Sequence, residues 1–334
     1  MCSRWIHVRA RTSAGRRAPS GLTDWGPSAS IATLVARAAA LADVRGFFAR
    51  RGVIEIDTPV LGRTTVTDPA IDSLAVDVAS VTHYLQTSPE YHLKRLLAAG
   101  APCVARIGPV FRADEAGRLH NPEFTMIEWY RLGIDLNALM DETAALVDCV
   151  MGQAGHQRIS YAALLEGVGV DVFSDSMATL VGAALESGAA GDVAAWSRRA
   201  LLDYFTALAL RRISGRVFVT QYPPDQAALA RLVDDPAGRP VAARFELVID
   251  GVEIANGYDE LTDANVLAAR MAADRDARAL NSRPAYAADA RLLAAMRAGL
   301  PSCCGVAVGF DRLFMLARGE TRLAAVLPFS FDRA

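Results

Sequence analysis

Between Gly108 and Arg131 the chain reads GPVFRADEAGRLHNPEFTMIEWYR. This stretch holds Arg112, Arg118, Arg131, Asp114, Glu115, Glu123, Glu128, His120, Phe124, Trp129 and Tyr130, with apolar runs on either side. A solvated loop does not need so many aromatic rings, and a core strand does not tolerate so many charges. The mixture suits a polyphosphate nucleotide, with guanidinium groups for the phosphates and a ring for the base. Three further segments concentrate polar chemistry: Thr87-Ser88-Pro89-Glu90-Tyr91, Glu253-Ile254-Ala255-Asn256-Gly257-Tyr258-Asp259-Glu260, and Gly305 to Arg312 (GVAVGFDR).

These clusters need elements to position them. Cys103 to Arg112 reads as a strand, Asp114 to Asn121 as a polar loop around Gly117, and Glu123 to Arg131 alternates as a second strand. In that second strand Phe124, Met126 and Glu128 share one face, and Thr125, Ile127 and Trp129 the other. Together they predict an antiparallel pair. Arg244 to Leu261 predicts a hairpin turning at Asp250-Gly251. Ser30 to Arg51 has apolar residues at helical spacing, capped by Ser28 or Ser30 and stopped at Gly52. Val53 to Leu61 alternates like a strand that ends at Pro59. Helices are expected at Glu90–Ala99, Asn137–Met151, Asn265–Leu280 (solvated) and from Asp311 to Arg318. Residues 160–215 read as mostly helical with breaks. The plan is a mixed α/β (α+β) domain whose polar clusters fall on a mostly antiparallel sheet flanked by helices.

The bulk properties remove several alternatives. The 334 residues are 52% hydrophobic and 22% charged, as in ordinary globular proteins. Thirty-five basic against 37 acidic residues argue against a broad nucleic-acid surface. Five cysteines without a C-x-x-C spacing argue against a disulfide framework or a zinc site, and point to a reducing, cytoplasmic setting. No apolar run is long enough to span a membrane. Residues 1–26 carry five arginines and read as a flexible basic arm, leaving 27–334 as the catalytic domain. Neither a G-x-G-x-x-G nor a P-loop motif occurs. Lys94 is the sole lysine and falls in a helical pattern, where it reads as a solvated helix residue.

Taken in order, the clusters resemble the class II aminoacyl-tRNA synthetases. The FR-x-D/E strand, loop and H-x-x-EF strand are similar to motif 2 of that family, GVAVGFDRLFML to motif 3, and the helix and strand ending in VIEIDTPVL, with Pro59, to motif 1. The wording TSPEYHLKRLL, HNPEFTMIEWYR and EIANGYDEL is closest to lysyl-tRNA synthetases, and closer still to their short paralogues, the elongation factor P lysine ligases. The resemblance covers roughly residues 25 to 334.

It implies roles residue by residue. Arg112 meets the α-phosphate and the substrate carboxylate, Phe124 stacks on adenine, and Arg312 reaches adenine and the γ-phosphate. Asp114, Glu115, His120 and Ile254 complete the ATP site. Glu253 and Glu260 hold Mg²⁺, and Arg112, Glu253 and Arg312 form the catalytic set. The amino-acid site draws on Ser88, Pro89, Glu90, Glu128, Tyr130, Asn256, Tyr258 and Glu260. Burying an ammonium without a carboxylate is costly, so the acids Glu90, Glu128 and Glu260 favour a lysine-like substrate over a neutral one. The family commonly has FRNE where this chain has Phe111-Arg112-Ala113-Asp114-Glu115, so either Asp114 moves closer to ATP or Glu115 takes the glutamate's place.

The resemblance implies that ATP activates (R)-β-lysine or lysine to an adenylate, and that the acyl group passes to a lysine of elongation factor P. A lysyl-tRNA synthetase carries a β-barrel anticodon reader before its catalytic domain, and only about 25 residues precede the first helix here, which disfavours tRNA as acceptor. A truncated tRNA-charging enzyme and an inactive synthetase-like regulator are the alternatives. A homodimer is implied by motif 1.

Overall fold

Ser30 caps the first helix, α1 (Ile31–Arg50), by accepting a hydrogen bond from the Thr33 amide at 3.1 Å. The helix stops at Gly52, whose φ of 67° favours glycine. The chain then forms two short strands, β1 (Ile54–Glu55) and β2 (Leu61–Gly62), in different sheets. The expected strand from Val53 to Leu61 is therefore split, because Pro59 has no amide to continue a ladder. A small hairpin follows, β3 (Ala75–Val78) and β4 (Val81–Leu85). Next come α2 (Glu90–Ala98), β5 (Val104–Phe111), β6 (Glu123–Leu132) and α3 (Leu136–Met151). The computed structural model describes residues 25–334 except Asp114. Almost all of the N-terminal arm, and the site reading of Asp114, lie outside the described residues.

The second half contains β7 (His156–Ser160), α4 (Tyr161–Glu166), α5 (Met177–Glu186), α6 (Arg198–Leu210), β8 (Arg216–Tyr222), β9 (Leu232–Asp234), β10 (Pro240–Ile249) and β11 (Val252–Asp259). It closes with α7 (Ala264–Leu280), α8 (Ala290–Gly299), β12 (Cys303–Gly309) and α9 (Phe310–Ala317). The main sheet runs β1-β5-β6-β12-β11-β10-β8-β7, with β9 on β10. Only β1–β5 and β7–β8 pair in parallel, so the sheet is mostly antiparallel. β2, β4 and β3 form a separate small sheet. At the β10–β11 turn, Asp250 and Gly251 both have positive φ (48° and 79°), the two-residue turn that an Asp-Gly pair serves.

Period two on β6 divides its side chains between two layers. Ile127 and Trp129 enter a core with Phe47 and Phe48 of α1, Leu146 of α3 and Phe314 of α9. Trp129 is fully buried, edge-on to Phe48 with ring centroids 5.3 Å apart. Burying each such ring contributes about 1.5–3 kcal/mol. Phe124, Met126, Glu128 and Tyr130 face the other way, into a cavity. That face is walled by α2, α7 and α8, whose apolar residues form a second core. The helix α7, read as solvated, buries Leu267 and Met271 there. Residues 156–210 build a third core with β8 and β10, and Arg199 on α6 reaches the cavity wall.

Candidate active site

Four strands pave the floor of a cavity of about 450 Å³. The register aligns their side chains in rows. Tyr130 of β6 pairs with Gly305 of β12, which pairs with Tyr258 of β11, which pairs with Arg244 of β10. One step along, Glu128, Ala307, Asn256 and Glu246 form the next row. On β12 the cavity-facing positions are Gly305, Ala307 and Gly309, so its side of the floor is nearly bare backbone. The space is needed at Gly305, where a Cβ would stand 2.3 Å from Tyr130 Cε1 and 2.5 Å from Glu260 Oε1.

Residues 253 and 260 differ by an odd number and would face opposite ways on a regular strand. Leu247 opposes Ala255 but Val248 opposes Glu253, so β11 carries an extra residue, Ile254, in a bulge. The bulge restores parity and places Glu253 on the same face as Glu246, Asn256 and Tyr258.

One end of the cavity is rich in arginine. Arg112 Nη1 lies 3.1 Å from Glu115 Oε1, and its guanidinium carbon lies 5.3 Å from the Phe124 ring centre. Arg312 donates from Nε to the Leu119 carbonyl at 3.1 Å, which ties the first turn of α9 to the loop between β5 and β6. Its Nη1 is 4.0 Å from Glu253 Oε2. Burial, helped by the charge of Arg312, holds the His120 imidazole below its ordinary value. Under the same floor, buried Asp311 pairs with Arg37 of α1 at 2.5 Å and accepts the Thr125 amide at 2.9 Å. That pair fixes α9, and hence Arg312, against β6.

The other end is rich in acid. Glu128 is buried and accepts from Ser88 Oγ at 2.7 Å and from the Tyr130 hydroxyl at 2.8 Å. Burial, reinforced by the charge of Glu90, pushes its carboxyl up to about 7. Lys94, read from sequence as a solvated helix residue, is 1% exposed. Its Nζ sits 2.5 Å from Glu90 Oε1 and 2.6 Å from Glu260 Oε2. Lys94 is buried because α2 turns its Glu90/Lys94 edge toward the sheet, where Glu260 emerges at the end of β11. Desolvation opposes the Lys94 charge, but the two carboxylates outweigh it and hold the ammonium ionised. Burial pushes Glu260 up to about 8, with Lys94 pulling the other way.

Between the two ends lies a group the sequence reading did not single out. Arg244 donates from Nε to Asn256 Oδ1 at 3.1 Å and from Nη1 to the Gln226 carbonyl at 2.8 Å. It also bonds Glu246 and packs over the Tyr222 ring at 4.3 Å. Burial pushes Glu246 up to about 7, against the pull of Arg244 and with the added repulsion of Glu253. The available signal was RFELVIDGVEI, where two glutamates straddle an Asp-Gly hairpin turn.

Of the residues expected at the site, Ser88, Glu90, Arg112, Glu115, His120, Phe124, Glu128, Tyr130, Glu253, Ile254, Asn256, Tyr258, Glu260 and Arg312 all line this one cavity. Pro89 does not line it; it is the N-cap residue of α2. Glu260 pairs with Lys94 at the acidic end, while Glu253 is exposed near Arg312 at the other. Among the described residues no cluster of three His, Cys, Asp or Glu side chains could hold a metal by itself.

Residues 22–333 match the family model for class II tRNA synthetases (D, K and N). Over 324 residues the chain is 41% identical to an elongation factor P–(R)-β-lysine ligase of Vibrio cholerae, covering 93% of this chain and 99% of that protein. It is 40% identical to the protein of the same name from Photorhabdus laumondii, covering 94% of this chain and all of the relative. It is 41% identical to that from Pectobacterium carotovorum over the same shares.

Proposed function

The chain belongs to the class II tRNA synthetase family (D, K and N), and from that premise we propose that it is a ligase that activates (R)-β-lysine or lysine with ATP and transfers it to a lysine side chain of elongation factor P. The observation that carries this reading is the two-ended cavity, with arginines at one end and three buried carboxylates at the other. A polyphosphate suits the first end and an amino acid with two ammonium groups the second. Relatives at about 40% identity over nearly their whole length bear the same ligase name.

The chemistry needs no nucleophilic side chain. A carboxylate oxygen of the amino acid attacks the α-phosphorus, a new P–O bond forms, and pyrophosphate leaves as the α–β bridge breaks. Arg112 is assigned to the α-phosphate and substrate carboxylate, where a permanent, forked charge neutralises the crowded oxygens. Arg312 and His120 take the distal phosphates, and Phe124 the adenine. Glu90, Glu128 and Glu260, with Ser88, Tyr130, Asn256 and Tyr258, hold the ammonium groups and so place the carboxylate in line. In the second step the acceptor ε-amine attacks the acyl carbon and AMP departs.

Glu253 and Glu260 are the carboxylates assigned to a magnesium ion, and both line the cavity. A magnesium ion held there would offset the charge of the phosphates. The whole of 27–334 is taken as one catalytic unit, paired as a homodimer through an apolar face. Ile31 and Val35, one turn apart on α1, are exposed, as are Ile54 and Val60 after it in the chain. No helix of the described residues is long and apolar enough to cross a membrane. The cytoplasm is the setting we assign, in keeping with the free thiols of Cys103, Cys149, Cys303 and Cys304.

The test offers purified protein with ATP and labelled lysine or β-lysine, first to elongation factor P and then to lysine tRNA. Labelled elongation factor P is the expected result. Charged tRNA would reassign the acceptor, and absence of pyrophosphate exchange with both amino acids would sink the ligase reading.

A further inference from the structure

Neither the activation step nor the transfer step draws on the charge of Lys94. Its ammonium is buried, and both of its partners line the cavity. An ion-paired lysine in such a place is a poor stabilising device, since apolar replacement of a buried ion pair often costs nothing. The trio of Lys94, Glu90 and Glu260 is also not balanced, because two carboxylates face one ammonium. Glu260 Oε1 is buried without a hydrogen-bond partner, turned toward the cavity floor beside Gly305. A carboxylate oxygen left in that state awaits a donor.

Resting on the ligase reading, we propose that Lys94 is a positioning residue for the amino acid: a fixed internal ammonium that orients Glu90 and Glu260 and, with Glu128, leaves the pocket two negative charges. That is the count carried by a substrate with two ammonium groups. A substrate with one ammonium leaves a buried carboxylate unpaired; a substrate with none leaves two. Two oxygens within 2.6 Å of one nitrogen are also held at a fixed spacing before any substrate arrives, so the pocket is preorganised. The other titratable groups facing the trio are Tyr91, Tyr130 and Cys303, all driven by burial further toward their neutral forms.

The experiment is ATP–pyrophosphate exchange by the wild type, Lys94→Met and Lys94→Arg as lysine and pH are varied. Lys94→Met is expected to raise the KM for lysine about tenfold or more at neutral pH, with kcat and the KM for ATP within about threefold of wild type. Without the ammonium, the crowded carboxyls ionise only at higher pH. The KM gap should therefore narrow as pH rises, and Lys94→Arg should recover most of it. A folded Lys94→Met protein whose lysine KM matches wild type at every pH overturns the proposal. So does a loss of kcat alone, in proportion to unfolded protein. Should Lys94→Met not fold, the charge count is tested on the wild type. Pentane-1,5-diamine must then inhibit exchange against lysine about tenfold better than pentylamine, and equal inhibition overturns the idea. Absence of exchange by the wild type with either lysine isomer refutes the proposed function and is told apart from these outcomes.

Discussion

Replacing Gly305 by alanine adds a single methyl group at the most crowded point of the acidic end. That methyl would stand 2.3 Å from Tyr130 Cε1, 2.6 Å from Tyr130 Cδ1 and 2.5 Å from Glu260 Oε1. Neither neighbour is a free-swinging side chain. Tyr130 is 2% exposed and donates to Glu128 at 2.8 Å, and Glu260 is 2% exposed and held by Lys94 at 2.6 Å. Contacts under 3 Å force a shift of about an ångström, and overpacking of this kind costs about 1–3 kcal/mol of stability. The functional loss should be larger in proportion and confined to one substrate. If the shift breaks one charge-assisted hydrogen bond to the bound ammonium, about 1.5–3 kcal/mol of binding is lost. That corresponds to roughly a ten- to hundredfold rise in the KM for lysine. The KM for ATP should move less than about twofold, because Arg112, Phe124 and Arg312 lie at the other end and effects at distant sites are independent. Pyrophosphate exchange with lysine and ATP varied separately reads both numbers, and thermal denaturation shows that the protein is folded. A folded Gly305→Ala protein with wild-type KM for lysine, or with ATP and lysine affected alike, would refute the assignment of the acidic end to the amino acid.

Three further outcomes follow from the same geometry. Arg112→Ala should lower kcat for adenylate formation about 10²–10³-fold, and Arg112→Lys should not restore it, since a point charge cannot reproduce the fork; exchange activity retained in either variant counts against the motif 2 reading. The stabilisation of the protein by lysine should grow as pH rises through about 7 to 8, because Glu128 and Glu260 are raised to those values and must ionise to receive ammonium groups. The sign is opposite for the protein without substrate: carboxyls raised above their unfolded values bind protons more tightly when folded, so their contribution to stability falls as pH climbs from about 4.5 to about 7 to 8 and is level above that. Melting temperatures with and without lysine at several pH values measure both. Arg37→Ala should cost about 3–5 kcal/mol of folding stability by stranding the buried carboxylate of Asp311; chemical denaturation reads it, and a loss under about 1 kcal/mol would show that Asp311 is not held as a charge.

The β5–β6 and β10–β11 pairs were legible in the sequence because their signals are local. Alternation with period two and an Asp-Gly turn are set by neighbours in the chain, and the structure has both pairs within a residue or a few of the expected bounds. The strand expected at Val53–Leu61 was not legible, since alternation there had no partner long enough to make it a ladder. Neither α8 nor β7 carried a motif that drew notice.

By itself, the sequence determined many of the chemical groups of the site, though not Arg244 or the buried Lys94, and on which face of β6 its residues stand, because residue identity and strand parity need no partner. Only the tertiary structure decided how those groups are charged and paired. The bulge at Ile254 turns Glu253 toward Glu246, and that depends on the register between β10 and β11. Lys94 looks like any lysine on a helix until Glu260, from a distant strand, closes over it. Burial and ion pairing are sums over neighbours in space, and the neighbours that convert Lys94 from a surface charge into a pocket wall are remote in the chain.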